Sequence, residues 1–182
     1  MPKYVAFLRA INVGGHTVKM DSLRSLFESL GFSQVETFIA SGNVIFDSPS
    51  RSSQALEKKV EEFLHKTLGY AVATFIRSTS ELSAVASHKP FSVGELNTPG
   101  NSLFIGFMAA KPSDAAKKLL QSSNSKVDEF HLHGREVYWL LRARFSDSKF
   151  SGSRLEKTLG MPVTLRNSTT VRKLVAKYGN QN

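Results

Sequence analysis

One stretch of this chain is written twice. Thr67-Leu68-Gly69-Tyr70-Ala71-Val72 returns as Thr158-Leu159-Gly160-Met161-Pro162-Val163. After a slip of two residues, Arg77-Ser78 returns as Arg166-Asn167, and Leu82, Val85 and Ala86 align with Val171, Leu174 and Val175. A period of about 90 residues points to a tandem duplication, so the fold must be one supersecondary unit used twice.

The hydrophobic pattern says what that unit is. Tyr4–Leu8 reads as a buried strand, and Met20, Leu23, Leu26, Phe27 and Leu30 fall at helical spacing until Gly31. Val35–Ile39 and Val44–Phe46 flank Ser41-Gly42-Asn43 as a hairpin. Leu56, Val60, Phe63 and Leu64 mark a second helix ended by Gly69, and Val72–Ile76 is a fourth strand. Ser78-Thr79-Ser80-Glu81 has the capping-box pattern and opens a third helix through about Ser87.

The order β-α-β-β-α-β plus a helix is ferredoxin-like, and it recurs after the connector. Leu103–Met108 is a strand, and Pro112 suits the first helical position before Ala116, Leu119 and Leu120. Val127–Leu132 and Glu136–Leu141 form a hairpin around His133-Gly134-Arg135. A short helix then ends at Gly160, Val163–Leu165 is a strand, and Asn167 or Ser168 caps a last helix. The expected fold is therefore α+β: a tandem ferredoxin-like βαββαβ unit, each half followed by an extra helix. Residues 1–90 form the first half, 91–99 the connector and 100–182 the second half. The first strand of each half is apolar on both faces, so both faces need cover. The halves are expected to pack as one compact unit, and homo-oligomerisation is a further way to supply cover.

Composition excludes several function classes. With 182 residues, 41% of them apolar, and 13 Phe, the chain has enough material for an ordinary core. The absence of Cys removes disulfides, thiolate nucleophiles, Cys-based zinc sites and iron–sulfur clusters. No apolar run approaches the roughly 18 residues of a membrane span, and the N-terminal apolar segment is too short for a secretory leader. A cytoplasmic location without membrane attachment is expected. The motifs of phosphate loops, dinucleotide folds, zinc proteases and serine hydrolases are all missing.

The formal charge of +9 is lopsided. Residues 1–90 hold 10 Lys and Arg against 8 Asp and Glu, whereas residues 91–182 hold 14 against 7. A one-sided basic excess concentrates anions near it.

Two polar corners are candidate sites. In the first, Arg9, Asn12, Gly14 and Gly15 should meet Ser41, Gly42 and Asn43, with glycine N–H groups and side-chain donors available to an anion. Loop tethering and turn geometry account for the same residues without any ligand. In the second, strand ends bring Arg142, Arg144, Ser146, Ser148 and Lys149 near Arg166, Asn167, Thr169 and Thr170, with only Asp147 opposing the cations. Charge-assisted bonds and a helix start favour the second corner for an anion, through Arg142, Arg144, Ser146, Lys149, Arg166 and Asn167.

Glu129, His131 and His133 share one face of a strand by period 2, the arrangement of a metal ligand set. That strand lies at a sheet edge, and an ordinary polar outer face explains it. His16, His65 and His88 have no partner by spacing. No metal or cofactor is expected.

The run Phe7-Leu8-Arg9-Ala10-Ile11-Asn12-Val13-Gly14-Gly15, followed by Lys19-Met20, Leu23-Arg24, Leu30-Gly31-Phe32 and Ser41-Gly42-Asn43-Val44-Ile45-Phe46, resembles a bacterial family of unknown function, DUF1697. The likeness continues through Tyr138-Trp139-Leu140 and Ser146–Lys149 to Arg166-Asn167, nearly the whole chain. Family members typically carry Gly where this chain has Ala10. The resemblance implies a duplicated ferredoxin-like fold and no known activity. The function expected from charge is non-enzymatic binding of a polyanion, nucleic acid or phosphate, through the basic C-terminal half. The alternatives are an enzyme acting on a small phosphorylated or carboxylated metabolite, and a protein-interaction module.

Overall fold

A computed structural model describes residues 1–12, 14–39 and 42–180. The chain divides into two units, Met1–Ala84 with Leu174–Asn182, and Val85–Lys173.

The first unit begins with β1 (Lys3–Leu8) and α1 (Met20–Ser29), followed by β2 (Ser33–Thr37) and β3 (Asn43–Asp47). It continues with α2 (Ser53–Leu68), β4 (Thr74–Ser78) and α3 (Thr79–Ser87), the end of α3 from Val85 belonging to the second unit. The sheet order is β2-β3-β1-β4, antiparallel throughout. Alternation along β1 sends Tyr4, Ala6 and Leu8 into a core with Leu23, Phe27, Leu56, Val60 and Leu64 of α1 and α2. Val5, Phe7, Ile45 and Phe75, on the opposite face, are buried as well, as strands apolar on both faces require.

The second unit contains α4 (Val93–Leu96), β5 (Ser102–Phe107), α5 (Asp114–Gln121), β6 (Asp128–His133) and β7 (Glu136–Leu141). A 3₁₀ turn at Phe145–Asp147, α6 (Gly152–Leu159), β8 (Thr164–Asn167) and α7 (Ser168–Tyr178) complete it, with the end of α7 belonging to the first unit. Its sheet order is β6-β7-β5-β8, again antiparallel. Val137, Trp139, Leu141, Leu155 and Leu159 form the core. The Trp139 indole N–H donates to buried Asp128 at 2.9 Å, satisfying a polar group that would be costly to bury alone.

The two registers coincide. Val5 pairs with Ile45 and Arg77 in the first sheet, and Ile105 pairs with Tyr138 and Arg166 in the second. The Arg77 and Arg166 matched by the sequence repeat thus hold the same position. So do Gly69 and Gly160, which end α2 and α6 in the left-handed conformation at φ 81° and 73°. Among the described residues, two four-stranded antiparallel sheets with seven helices make an α+β fold consistent with the duplicated unit expected.

Several local expectations need correction, and the strands expected at Val72–Ile76 and Val163–Leu165 run Thr74–Ser78 and Thr164–Asn167. Pro112 lies before the helix start: Ser113 caps α5 by accepting from the Ala116 N–H at 3.1 Å. The strand expected at Val35–Ile39 runs Ser33–Thr37 instead: its register with β3 shifts between Ser33 and Glu36, around Gln34 at φ 50°, and Ile39 beyond its end is left-handed at φ 47°. The connector contains a helical turn, α4, capped by Ser92 on the Glu95 N–H. The capping box at Ser78–Glu81 is reciprocal as expected: Glu81 N–H donates to Ser78 Oγ at 3.1 Å and Ser78 N–H to Glu81 Oε2 at 2.7 Å.

Candidate functional site

The first corner holds itself together. The Leu8 N–H donates to the Gly42 carbonyl and the Arg9 N–H to that of Ala73, so the end of β1 does meet the β2–β3 turn. Asn12 Oδ1 accepts from the Val18 N–H at 2.6 Å. Buried Asn43 donates to the carbonyls of Phe38 and Ile39 at 3.0 and 3.1 Å. Gly14 and Gly15 have φ of 70° and 82°, the backbone need that selects glycine. Ser41 lies outside the described residues.

The second corner is more heavily neutralised than the sequence count suggested. Arg142, just beyond β7, is gripped by two carboxylates, Glu129 of β6 and Glu95 of α4. Those bonds raise the Arg142 guanidinium, and the bond from Arg142 holds Glu95 below the usual carboxylate range. Arg144 pairs with Asp147 at 3.2 Å on the surface. Three carboxylates therefore attend cations that were expected to face one. Arg166 is drawn inward, donating to Thr164 Oγ1 at 2.8 Å and the Leu165 carbonyl at 2.9 Å. Burial lowers its guanidinium to about 10, still charged at neutral pH. Ser148 does not face outward either: it donates to Asp128 and accepts from the Phe150 N–H. Ser146 and Lys149 are exposed.

Asn167 has a different setting. Its Oδ1 caps α7 by accepting from the Thr169 N–H at 2.9 Å, and with Ser168, Thr169 and Arg172 it lines a cavity of about 650 Å³ in the second unit. The end of α3 and the following residues, Val85 to Pro90, form another wall. Leu103 and Ile105 of β5 and Tyr138 of β7 form the floor. The Tyr138 hydroxyl donates to the Val85 carbonyl at 2.7 Å. Burial, reinforced by the Glu136 charge, raises this phenol and keeps it a donor. Lys89, Arg172 and His88 are on the lining, and among its residues there is no carboxylate. A 650 Å³ cavity is of small-molecule size. The sequence carried one pointer to it, the helix start at Asn167-Ser168. Lys89 and His88 were legible only as connector residues.

The histidines are also rearranged. Glu129 is committed to Arg142, leaving His131 and His133 on the outer face of β6. His88, expected to stand alone, stacks on His133 with ring centroids 3.9 Å apart and lies 5.3 Å from the His131 ring. His16 likewise has a partner, stacking on Tyr70 at 3.8 Å.

Comparison with known proteins places this architecture. The chain is similar to the conserved bacterial protein SP0830 from Streptococcus pneumoniae, with a TM-score of 0.73 over 97% of this chain and 98% of that one. At 23% identity the likeness speaks to the fold alone. No curated protein matches. Residues 1–138 match the family described as protein of unknown function DUF1697, so the match takes in all of the first sheet and the second as far as Tyr138. On that match the chain belongs to the DUF1697 family.

Proposed function

We propose that the second unit binds a small anionic molecule, carrying a phosphate or carboxylate group, in the cavity between the end of α3 and the start of α7. The observation that carries this reading is the lining itself: Lys89 and Arg172 lie on it together with the start of α7, and none of its residues is an acid. An anion there gains from the helix dipole and from charge-assisted bonds, while Ile105 and Leu103 offer an apolar floor for the remainder of the molecule.

Thermal unfolding with inorganic phosphate, citrate and adenosine monophosphate tests it. A ligand at a hundredfold excess over its Kd adds about 2.7 kcal/mol, worth roughly 5–10 °C for a chain of this size. The Lys89→Ala, Arg172→Ala double variant removes two exposed side chains and is expected to abolish the shift. No shift with any of the three anions, or a shift unchanged in the double variant, overturns the proposal.

Binding of nucleic acid is a second reading, supported by the exposed cations Lys149, Arg154, Lys157 and Lys173. Such contacts would go to phosphates and weaken steeply with salt. A gel-shift series with mixed oligonucleotides separates the readings, because the polyanion reading requires retardation at low salt that survives the double variant.

A further inference from the structure

We propose that His88, His131 and His133 form a binding site for a borderline divalent transition ion, zinc or a late first-row neighbour. The inference is independent of the anion reading. The ligand nitrogens of the three side chains all lie within 4.8 Å of one another. His131 and His133 project together from β6, and His88 reaches them from the residue after α3.

The second observation is a polar atom with nothing to bond. His88 Nε2 is enclosed and has no hydrogen-bond partner. A buried donor or acceptor left in that state costs on the order of 1–3 kcal/mol, and such groups call for an explanation. A metal ion supplies one, since a lone pair on imidazole nitrogen is what zinc, nickel and copper take up.

The donor set also selects the ion. Three imidazoles with no carboxylate suit zinc, nickel or copper and not calcium or magnesium, which demand oxygen. Glu129, the nearest acid along the strand, is occupied by Arg142. The Lys117 charge works against a cation, and Tyr138, 5.2 Å from the His88 ring, adds an aromatic wall without charge.

Tetrahedral zinc with bonds of about 2.0–2.1 Å holds its nitrogens about 3.4 Å apart. The cluster must therefore close by up to about 1.4 Å. His131 and His133 are both exposed and can turn between rotamers at little cost. Three protein ligands leave a fourth position for water, the pattern of an open zinc site.

The test uses the full chain without an affinity tag. Zn²⁺ is titrated by calorimetry, and Co²⁺ is followed by its visible absorption, which reports tetrahedral coordination. One equivalent per chain is expected, with a tetrahedral Co²⁺ spectrum. The His131→Ala, His133→Ala variant should lose on the order of 100-fold in affinity or more, and His65→Ala, on the exposed face of α2, should lose none. Both exposed histidines are dispensable to the core, so that double variant decides the test even if His88→Ala disturbs packing on Tyr138. Absence of saturable binding overturns the proposal. So does half an equivalent per chain, which would place the ion between two molecules, or affinity retained in the double variant.

Discussion

The two units share a strand order and a register but close their last strand differently. β4 is the edge of the first sheet, and its outward N–H groups are capped by carboxylates. Glu61 accepts from Thr74, Glu57 from Ile76 and Glu81 from Ser78, at 2.7–2.9 Å. Glu57 also pairs with Arg77 at 3.3 Å, where the two side chains are 8% and 1% exposed. In the second unit Glu156 accepts from the Val163 N–H just before β8, and Arg166 donates to a hydroxyl and a carbonyl.

Helix length is the cause. Both α2 and α6 end at an αL glycine, but α2 has 16 residues and α6 has eight. The turn of α2 that carries Glu57 has no counterpart in α6, which begins only at Gly152. Capping edge N–H groups with side chains also prevents the edge from recruiting another strand. One unit commits its polar groups internally, whereas the other has a cavity, with Asn167 on the lining, at the end of the corresponding strand.

The largest expected effect breaks that contrast at its centre. Glu57→Ala removes the carboxylate that accepts from both Arg77 and the Ile76 N–H, and a loss of about 3–5 kcal/mol is expected for one partner of a buried pair. Urea unfolding measures it. A loss below about 1 kcal/mol would mean that the pair is not what closes the first unit.

Gly106 sharpens the comparison. It pairs with Val137 and Leu165, as Ala6 pairs with Val44 and Ile76, so the first unit accepts a methyl at the same register. A Cβ on Gly106 would meet Val137 Cγ1 at 2.6 Å and Val163 Cγ1 at 2.7 Å. Overpacking of this kind costs about 1–3 kcal/mol. Gly106→Ala should lower the denaturation midpoint accordingly, and a neutral result would show that the two cores have the same slack.

The smallest effect has the opposite sign. Among the described residues the three non-glycine residues with positive φ are Ala10, Gln34 and Ile39, all in the first unit. Ala10 sits at φ 53° in the loop leaving β1, where the left-handed conformation costs alanine roughly 1–2 kcal/mol. Glycine removes that strain but loses more chain entropy on folding. Ala10→Gly should therefore stabilise by a net of up to about 1 kcal/mol. A destabilised variant would show that the strain is absent. The typical family glycine at this position now has a backbone reason.

Much of the architecture was legible because it is written in short-range chemistry. The apolar spacing of Leu23 and Phe27, the reciprocal Ser78–Glu81 cap and the αL stops at Gly69 and Gly160 each join residues a turn or less apart. The Glu136–Leu141 strand is legible to both of its ends, and the repeat places Arg77 and Arg166 at matching positions. Where the local pattern misleads, at Pro112 and Ile39, a competing cap or a left-handed residue outweighs a propensity.

The sites followed a different logic. Arg142 is bound by Glu129, 13 residues away, and by Glu95, 47 residues away. His88 meets His131 and His133 only because the end of α3 is held at the sheet, where the Val85 carbonyl accepts from Tyr138 of β7. Charge counts and side-chain periods carry no information about which distant residue fills the space opposite. Chain composition settled that the second half is basic, and hydrophobic period settled its strands and helices. Which cations are neutralised, which arginine is buried and which histidine gains partners were decided by packing, because the partners are distant in the chain and adjacent only once the sheets have formed.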